Sequence, residues 1–264
     1  MIRPVVLTLF TAALAFAQSP VSTPAPRPIF DGRTLTGWEG NLQSWRVEDG
    51  AITGTIADGQ RLAKNEFLYW QGEVADFELT AEFRISGHVT ANSGIQFRAQ
   101  KLPDGHAAGY QADMDLGATW LGRIYDEHGR RLLVERGARV SIAPDGRRWT
   151  EKFGEPADYA SLMKPAGEWN TYRILAQASH AEVWINGTRV AVLDDHQSDA
   201  ADFAGLLALQ LHSGQGPVKV QFRNLQLTQL GRTTLPPAAV AAAAKTTEVG
   251  AQSAEIGTAR RNGD

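Results

Sequence analysis

Residues 77–85 read Phe77-Glu78-Leu79-Thr80-Ala81-Glu82-Phe83-Arg84-Ile85 and alternate without a break. Leu79, Ala81, Phe83 and Ile85 fall on one side, with Glu78, Thr80, Glu82 and Arg84 on the other. Successive strand side chains point to opposite faces, so a period of two predicts a half-buried β-strand. The pattern recurs at 94–98, 110–114, 172–176, 181–185 and 188–192, and segments 206–211 and 218–227 close the series. Asn186-Gly187 stands between two of these runs. A type I′ hairpin turn needs positive φ at both central residues, and Asn-Gly meets that need best. No long segment carries a helical period. The expected architecture is all-β: one antiparallel domain of two packed sheets.

Composition fits that reading. The chain has 264 residues, 43% hydrophobic and 21% charged, which suits a folded protein and excludes wholesale disorder. Its formal net charge of -3 leaves no basic excess to displace counterions from phosphate, so nucleic acid is not the expected partner. The absence of Cys excludes disulfides, thiolate metal sites, a Cys nucleophile and a lipid-anchor cysteine. The 7 Trp and 26 Gly suit a turn-rich protein that faces carbohydrate.

The two ends read differently from the middle. An apolar run at 5–16 follows Arg3 and leads into Ala15-Phe16-Ala17, a small-x-small cleavage pattern. Residues 1–17 are therefore expected to be a secretory signal peptide, too short to span a bilayer. Export without cysteine points to a bacterial periplasm or exterior, with no membrane association after cleavage. Residues 18–28 form a proline-rich linker, and 29–230 the folded domain. Residues 231–264 lack aromatic residues and read as a disordered, low-complexity tail.

Several strands carry polar residues at alternating positions: Glu82, Arg84, Gln96, Arg98, Gln111, Asp113, Gln210 and His212. If those strands share one sheet, these groups converge on its outer surface. Amides, carboxylates and guanidinium groups bond pairs of hydroxyls, and an aromatic face covers the apolar side of a sugar ring. The alternative is an ordinary solvated face.

The ordered set of motifs resembles a known family. Ile29-Phe30-Asp31-Gly32 to Gly37-Trp38, Trp45-Arg46-Val47-Glu48-Asp49-Gly50, Phe77-Glu78-Leu79 to Arg84, Asn92-Ser93-Gly94-Ile95 with Arg98, Gly109-Tyr110-Gln111-Ala112-Asp113, Tyr125-Asp126-Glu127, Trp169-Asn170 and Gly205 to Asn224 follow one another in the family's order. The chain over 29–229 is similar to the DUF1080, or 3-keto-disaccharide hydrolase, domain. That resemblance implies a concanavalin A/laminin-G-like jelly-roll sandwich and a 3-keto-glycoside or 3-keto-disaccharide substrate. Many family members carry Glu where Gln111 stands and Gln where Asp113 stands, so the acid has moved two residues along the same face.

The implied chemistry is hydrolysis or elimination. A carbonyl at C3 acidifies the hydrogen on C2; a base removes it, and the C1 substituent leaves from the enolate. Such a reaction needs a base, an oxyanion stabiliser and an acid. Asp113 or His212 is the expected base, Arg98 or Arg84 the stabiliser, and Glu82 or Glu127 the acid. Gln96, Gln111, Tyr125, Gln210 and Trp120 are expected to bind substrate. Each has a plainer alternative: His212 capping a turn, Asp113 paired with Arg98, Glu127 with Arg130 or Arg131, Tyr125 in the core. Asn92-Ser93-Gly94 reads as a shape-setting turn and Trp169-Asn170 as core. No cofactor is required by the sequence. A divalent metal such as Ca²⁺ is possible at Asp113 and Asp115, or at Asp194, Asp195 and Asp199, whereas the six histidines show no HxH or HxxxH spacing. Rival functions are a lectin-like carbohydrate-binding module and a cell-envelope interaction protein.

Overall fold

The computed structural model describes residues 24–117 and 119–231. The leader, most of the linker and all of the tail except Gly231 lie outside the described residues. In chain order the strands are β1 (Arg27–Pro28), β2 (Trp38–Glu39), β3 (Trp45–Glu48), β4 (Ala51–Ile56), β5 (Arg61–Leu62), β6 (Glu66–Val74), β7 (Asp76–Gly87), β8 (Asn92–Lys101), β9 (Ala107–Asp115), β10 (Ile124–Glu127), β11 (Arg131–Val134), β12 (Ala138–Ile142), β13 (Arg148–Lys152), β14 (Asn170–Gln177), β15 (His180–Ile185), β16 (Thr188–Asp195), β17 (Gly205–Leu211), β18 (Gly214–Gln215) and β19 (Val218–Gly231). Among the described residues the one helical element is a 3₁₀ segment, Pro156–Leu162.

Two sheets face each other. The ten-stranded back sheet runs β13-β12-β16-β15-β14-β7-β19-β4-β3, with β1 paired to β19. The seven-stranded front sheet runs β11-β10-β9-β8-β17-β6-β2, and β5 pairs with β18 as a short ribbon. Pairing is antiparallel throughout except for β12 beside β16. The chain is thus an all-β two-sheet sandwich.

The period-two pattern of β7 appears directly as burial: Phe77, Leu79, Ala81, Phe83 and Ile85 are buried, while Glu78, Thr80, Glu82 and Arg84 are half-buried on the outer face. Phe77 meets Phe97 of the opposite sheet edge-on, with ring centroids 6.3 Å apart. Burying one such side chain contributes about 1.5–3 kcal/mol. The hairpin between β15 and β16 has Asn186 at φ 49° and Gly187 at φ 81°, as a type I′ turn demands. The Asn186 Oδ1 also accepts the Thr171 N–H at 2.8 Å and so ties the turn to β14.

Local readings fail in three places. Asn92-Ser93-Gly94 is not a turn but the start of β8. Trp169 is not core: it lies half-buried on the outer face of the back sheet, between the guanidinium groups of Arg84 (4.6 Å) and Arg223 (4.0 Å). Arg98, expected beside Gln96 on an outer face, sits at a bulge where the β8–β9 register slips between Phe97 and Gln100. Its φ of 53° re-aims the side chain, as bulges do, and leaves it only 2% exposed.

Arg98 there joins the connections of both sheets. Nε donates to the Ala75 carbonyl at 2.9 Å, and Nη1 to the carbonyls of Ala178 (2.7 Å) and Asp202 (3.2 Å). Nη2 lies 3.4 Å from the Asp76 carboxylate. Ala75 links β6 of the front sheet to β7 of the back sheet, and Ala178 lies in the β14–β15 turn. Replacing Arg98 by Met removes hydrogen bonds to three part-buried carbonyls together with the charge pair to Asp76, and a stranded acceptor costs about 1–3 kcal/mol. Urea denaturation of Arg98→Met should show a loss of roughly 3 kcal/mol or more, with Arg98→Lys recovering only part, because one ammonium cannot span the same carbonyls. A loss below about 1 kcal/mol would contradict this role.

Candidate active site

The polar side chains of the front sheet gather because its register puts them on one face. Gln96 pairs with Gln111, and Gln111 with Tyr125 on the other side. Ala208 of β17 pairs with Gln96, so Gln210 and the following His212 continue the same face toward β6. Asn65, Asn92, Gln111, Asp113, Trp120, Tyr125, Glu127, Gln210 and His212 line a hollow of about 390 Å³ on this face. That volume suits a small ligand. A second hollow of about 310 Å³ shares Asn92, Trp120 and His212 with it and extends over Thr90, Asp115 and Ser213.

Seven of the expected site residues therefore come together: Asp113, His212, Glu127, Gln111, Tyr125, Gln210 and Trp120. Gln96 lies fully buried just behind them. The other three do not join. Glu82 and Arg84 belong to the back sheet, where Glu82 is bonded to Arg223 at 2.6 Å and Arg84 to Gln221 at 2.7 Å. Arg98 is spent on backbone carbonyls, as described above. Among the described residues no arginine lines the hollow, so an oxyanion there would meet neutral donors instead of guanidinium. Asn65 and Asn92 are lining residues that sequence reading did not assign to the site. Asn65 precedes β6, and only the pairing of β6 with β17 brings it beside His212.

Asp113 is fixed from several directions. Its backbone N–H donates to the Arg123 carbonyl at 3.0 Å; its own carbonyl accepts the Gly122 N–H at 3.0 Å and the Tyr172 hydroxyl at 2.6 Å. Tyr172 comes from the back sheet, so the bond crosses the sandwich. A relay of amides holds the side chain. Gln96 Nε2 donates to Gln111 Oε1 at 2.7 Å, and Gln111 Nε2 donates to Asp113 Oδ1 at 2.6 Å. Gly94, which pairs with Asp113, makes room for this relay. A Cβ there would lie 2.6 Å from the Gln111 side chain.

The electrostatics follow from burial. Loss of hydration pushes the Asp113 carboxyl up to about 8, the Gln111 hydrogen bond opposes that rise, and the nearby Glu127 charge adds to it. Glu127 is also raised by burial, an effect countered by His128, His212 and His106. The Tyr125 hydroxyl is raised chiefly by burial. His212 Nδ1 lies 2.7 Å from the Ser213 carbonyl, which can only accept. Nδ1 therefore carries the proton, and Nε2 of the neutral ring is the free acceptor.

The rim is aromatic. Trp120 is 38% exposed and meets Tyr125 edge-on at 5.9 Å, while Arg123 lies over its ring at 4.8 Å. Its loop is anchored by Asp115, whose carboxylate accepts the N–H groups of Gly117 (2.9 Å), Thr119 (2.7 Å) and Trp120 (2.8 Å). That carboxylate is a loop cap. The other acids considered for Ca²⁺ are also engaged: Asp194 with Arg139 and His180, Asp195 with Tyr110 and Arg130, and Asp199 with Gln197. Arg130 bonds Asp126 and Asp195 at 2.7 Å each, and these pairs account for its charge.

Known proteins share sequence and fold with this chain. The chain is 26% identical over 182 residues to a 3-keto-disaccharide hydrolase of Bacteroides thetaiotaomicron, a match covering 64% of this chain and 58% of that relative. A candidate glycosyl hydrolase from Parabacteroides distasonis superposes with a TM-score of 0.53 at 20% identity, over 78% of this chain and all of that one. The carbohydrate-binding module CBM66 of Bacillus subtilis superposes at 0.50 with 15% identity, over 73% and 96% of the two chains. At such identities these two structures speak for the fold alone. A family model for the 3-keto-alpha-glucoside-1,2-lyase-like domain matches residues 25–228, nearly the whole described chain, and its start at 25 takes in the β1 pairing with β19. The chain belongs to the 3-keto-alpha-glucoside-1,2-lyase-like domain family.

Proposed function

We propose that the protein cleaves 3-keto-glycosides or 3-keto-disaccharides by removing the C2 proton and eliminating the C1 substituent, with water then adding back. The observation that carries this reading is the pairing, in one sugar-sized hollow, of a free imidazole nitrogen with a carboxyl group that keeps its proton at neutral pH. His212 Nε2 takes the C2 proton, and the electron pair of that bond forms the C2=C3 enolate. Collapse of the enolate restores the C3 carbonyl, makes the C1=C2 bond and breaks C1–O. Asp113, in its acid form, gives its proton to the departing oxygen. With Oδ1 occupied by the Gln111 N–H, the proton belongs on Oδ2.

The reverse assignments serve hydration. The Asp113 carboxylate takes a proton from water as its oxygen bonds to C1, and the His212 imidazolium returns a proton to C2. Both groups then stand ready for another cycle. The enolate oxygen is met by side-chain amides. Asn65 Oδ1 accepts the Ser213 N–H at 2.8 Å and Gln210 Oε1 lies 3.4 Å from Gln111 Nε2, so in both the oxygen is the engaged end and the NH₂ group is left to donate. Trp120 covers the apolar side of the ring. Glu127 has no part in these proton transfers.

Incubation with 3-keto-trehalose or a 3-keto-glucoside, followed by NMR, tests the reading. In D₂O, replacement of the C2 hydrogen by deuterium together with release of the C1 substituent is expected. Binding without either change would leave a lectin-like module. His212→Ala should lower kcat by on the order of 10²-fold or more. A loss confined to KM would make it a binding residue.

Asp113 carries two pH predictions. Elimination should fall as pH rises through about 8, where the acid form is lost. An alkaline limb absent up to pH 10 would remove Asp113 from the acid role. The second concerns stability. The unfolded chain ionises Asp113 near 3.8, whereas the folded chain holds the proton up to about 8. Between those values the folded state binds more protons, so stability contributed here is lost as pH rises through that window. Asp113→Asn keeps the acceptor for Gln111 but has no charge to bury. It should melt above the parent at pH 8 and equal it near pH 3; equal melting at both values would contradict the burial argument.

Gly94→Ala tests the relay. The added methyl displaces Gln111 and loosens Asp113, so kcat should fall about tenfold or more while the strand content by circular dichroism is kept. Unchanged kcat would show that the relay does not position the acid.

A further inference from the structure

We propose that His106, Glu127 and His128 form a binding site for a divalent transition-metal cation such as Zn²⁺, Co²⁺ or Ni²⁺ on the flank of the hollow. The three come from neighbouring strand ends. His106 leads into β9, Glu127 ends β10 opposite Gly109, and His128 opens the turn to β11. One ligand atom from each, two imidazole nitrogens and a carboxylate oxygen, falls within 4.8 Å of the others.

The spacing fits a shared ion. His106 Nδ1 and His128 Nε2 are 3.1 Å apart. Two nitrogens each about 2.0–2.1 Å from one metal, at tetrahedral or octahedral angles, lie roughly 2.9–3.4 Å from each other. The rings meet edge-on, at 89° with centroids 5.1 Å apart, so it is the nitrogens that approach and not the faces. His128 reaches this position with a φ of 56°, a conformation uncommon outside glycine. Among the described residues neither imidazole has another side-chain hydrogen-bond partner, although the His106 ring also packs edge-on against Phe67 with centroids 6.1 Å apart, and Glu127 is in no ion pair with Lys or Arg. The three donors face one another instead of being used elsewhere.

The donor set also selects the ion. Imidazole nitrogens favour Zn²⁺, Co²⁺ and Ni²⁺ over Ca²⁺ and Mg²⁺, which take oxygen. Two histidines and one carboxylate leave at least one coordination position open. Glu127 also lines the hollow, so that open position lies next to the saccharide space. A hydroxyl pair or carbonyl of a bound sugar is the chemistry it would take. The proposal needs only the geometry of these three residues and does not depend on the elimination described above.

The test is metal binding by untagged, metal-stripped protein. Calorimetry with Zn²⁺ should give one ion per chain, and Co²⁺ should develop visible bands of reduced coordination. His106→Ala and His128→Ala should each weaken binding by on the order of 10²-fold, since even the loss of groups that merely support a ligand costs 10–100-fold. His196→Ala, at a histidine that follows β16 of the back sheet and is not among the three ligands, should bind like the parent. Zn²⁺ should raise the melting temperature of the parent but not of the two variants. Melts without metal verify that each variant is folded. Binding unaffected by both substitutions, or no binding at about 1 mM Zn²⁺, would overturn the proposal and leave a simple hydrogen bond between two imidazoles.

Discussion

The bond from Gln111 Nε2 to Asp113 Oδ1, made between two side chains that are almost wholly buried in the floor of the hollow, is the interaction on which the site turns. A carboxyl group removed from water resists ionisation; a single amide donor only partly offsets that cost. The surrounding structure keeps this compromise in place. Tyr172 reaches across from the back sheet to the Asp113 carbonyl, Gln96 steadies Gln111 from behind, and Gly94 withholds the side chain that would crowd them. A hydroxyl-rich ligand can bond to such a floor, and a protonated acid can give up its hydrogen there.

The sandwich supplies the geometry through an ordinary rule of sheets. On β8, β9, β10 and β17 the inward residues fill the core with Ile95, Phe97, Ala112, Met114, Ile124 and Leu209. The outward residues of the same strands carry the chemistry. The two roles cannot be exchanged without a register slip that would bury the polar set and expose the core. Stability and site are therefore written in alternate letters of the same segments.

That alternation made much of the fold legible. The strand at 77–85, the Asn186-Gly187 hairpin and the polar positions of β9 could all be read from spacing alone. The failures share a cause: spacing says which side a residue takes within its strand, not which strand lies next to it. Glu82 and Arg84 alternate as cleanly as Gln111 and Asp113, yet β7 lies in the other sheet. Arg98 broke the rule through a bulge, which no local pattern announced. Asn65 and the grouping of His106 with Glu127 and His128 depend on neighbours far apart in the chain. The family resemblance supplied order along the chain, and the coordinates supplied adjacency.

The most direct measurement of the central claim is a ¹³C NMR titration of the Asp113 side-chain carboxyl, assigned by its disappearance in Asp113→Asn. The account predicts a midpoint at about 8, with the carboxyl still protonated at neutral pH. A midpoint near 4, the value of an ordinary hydrated aspartate, would contradict it.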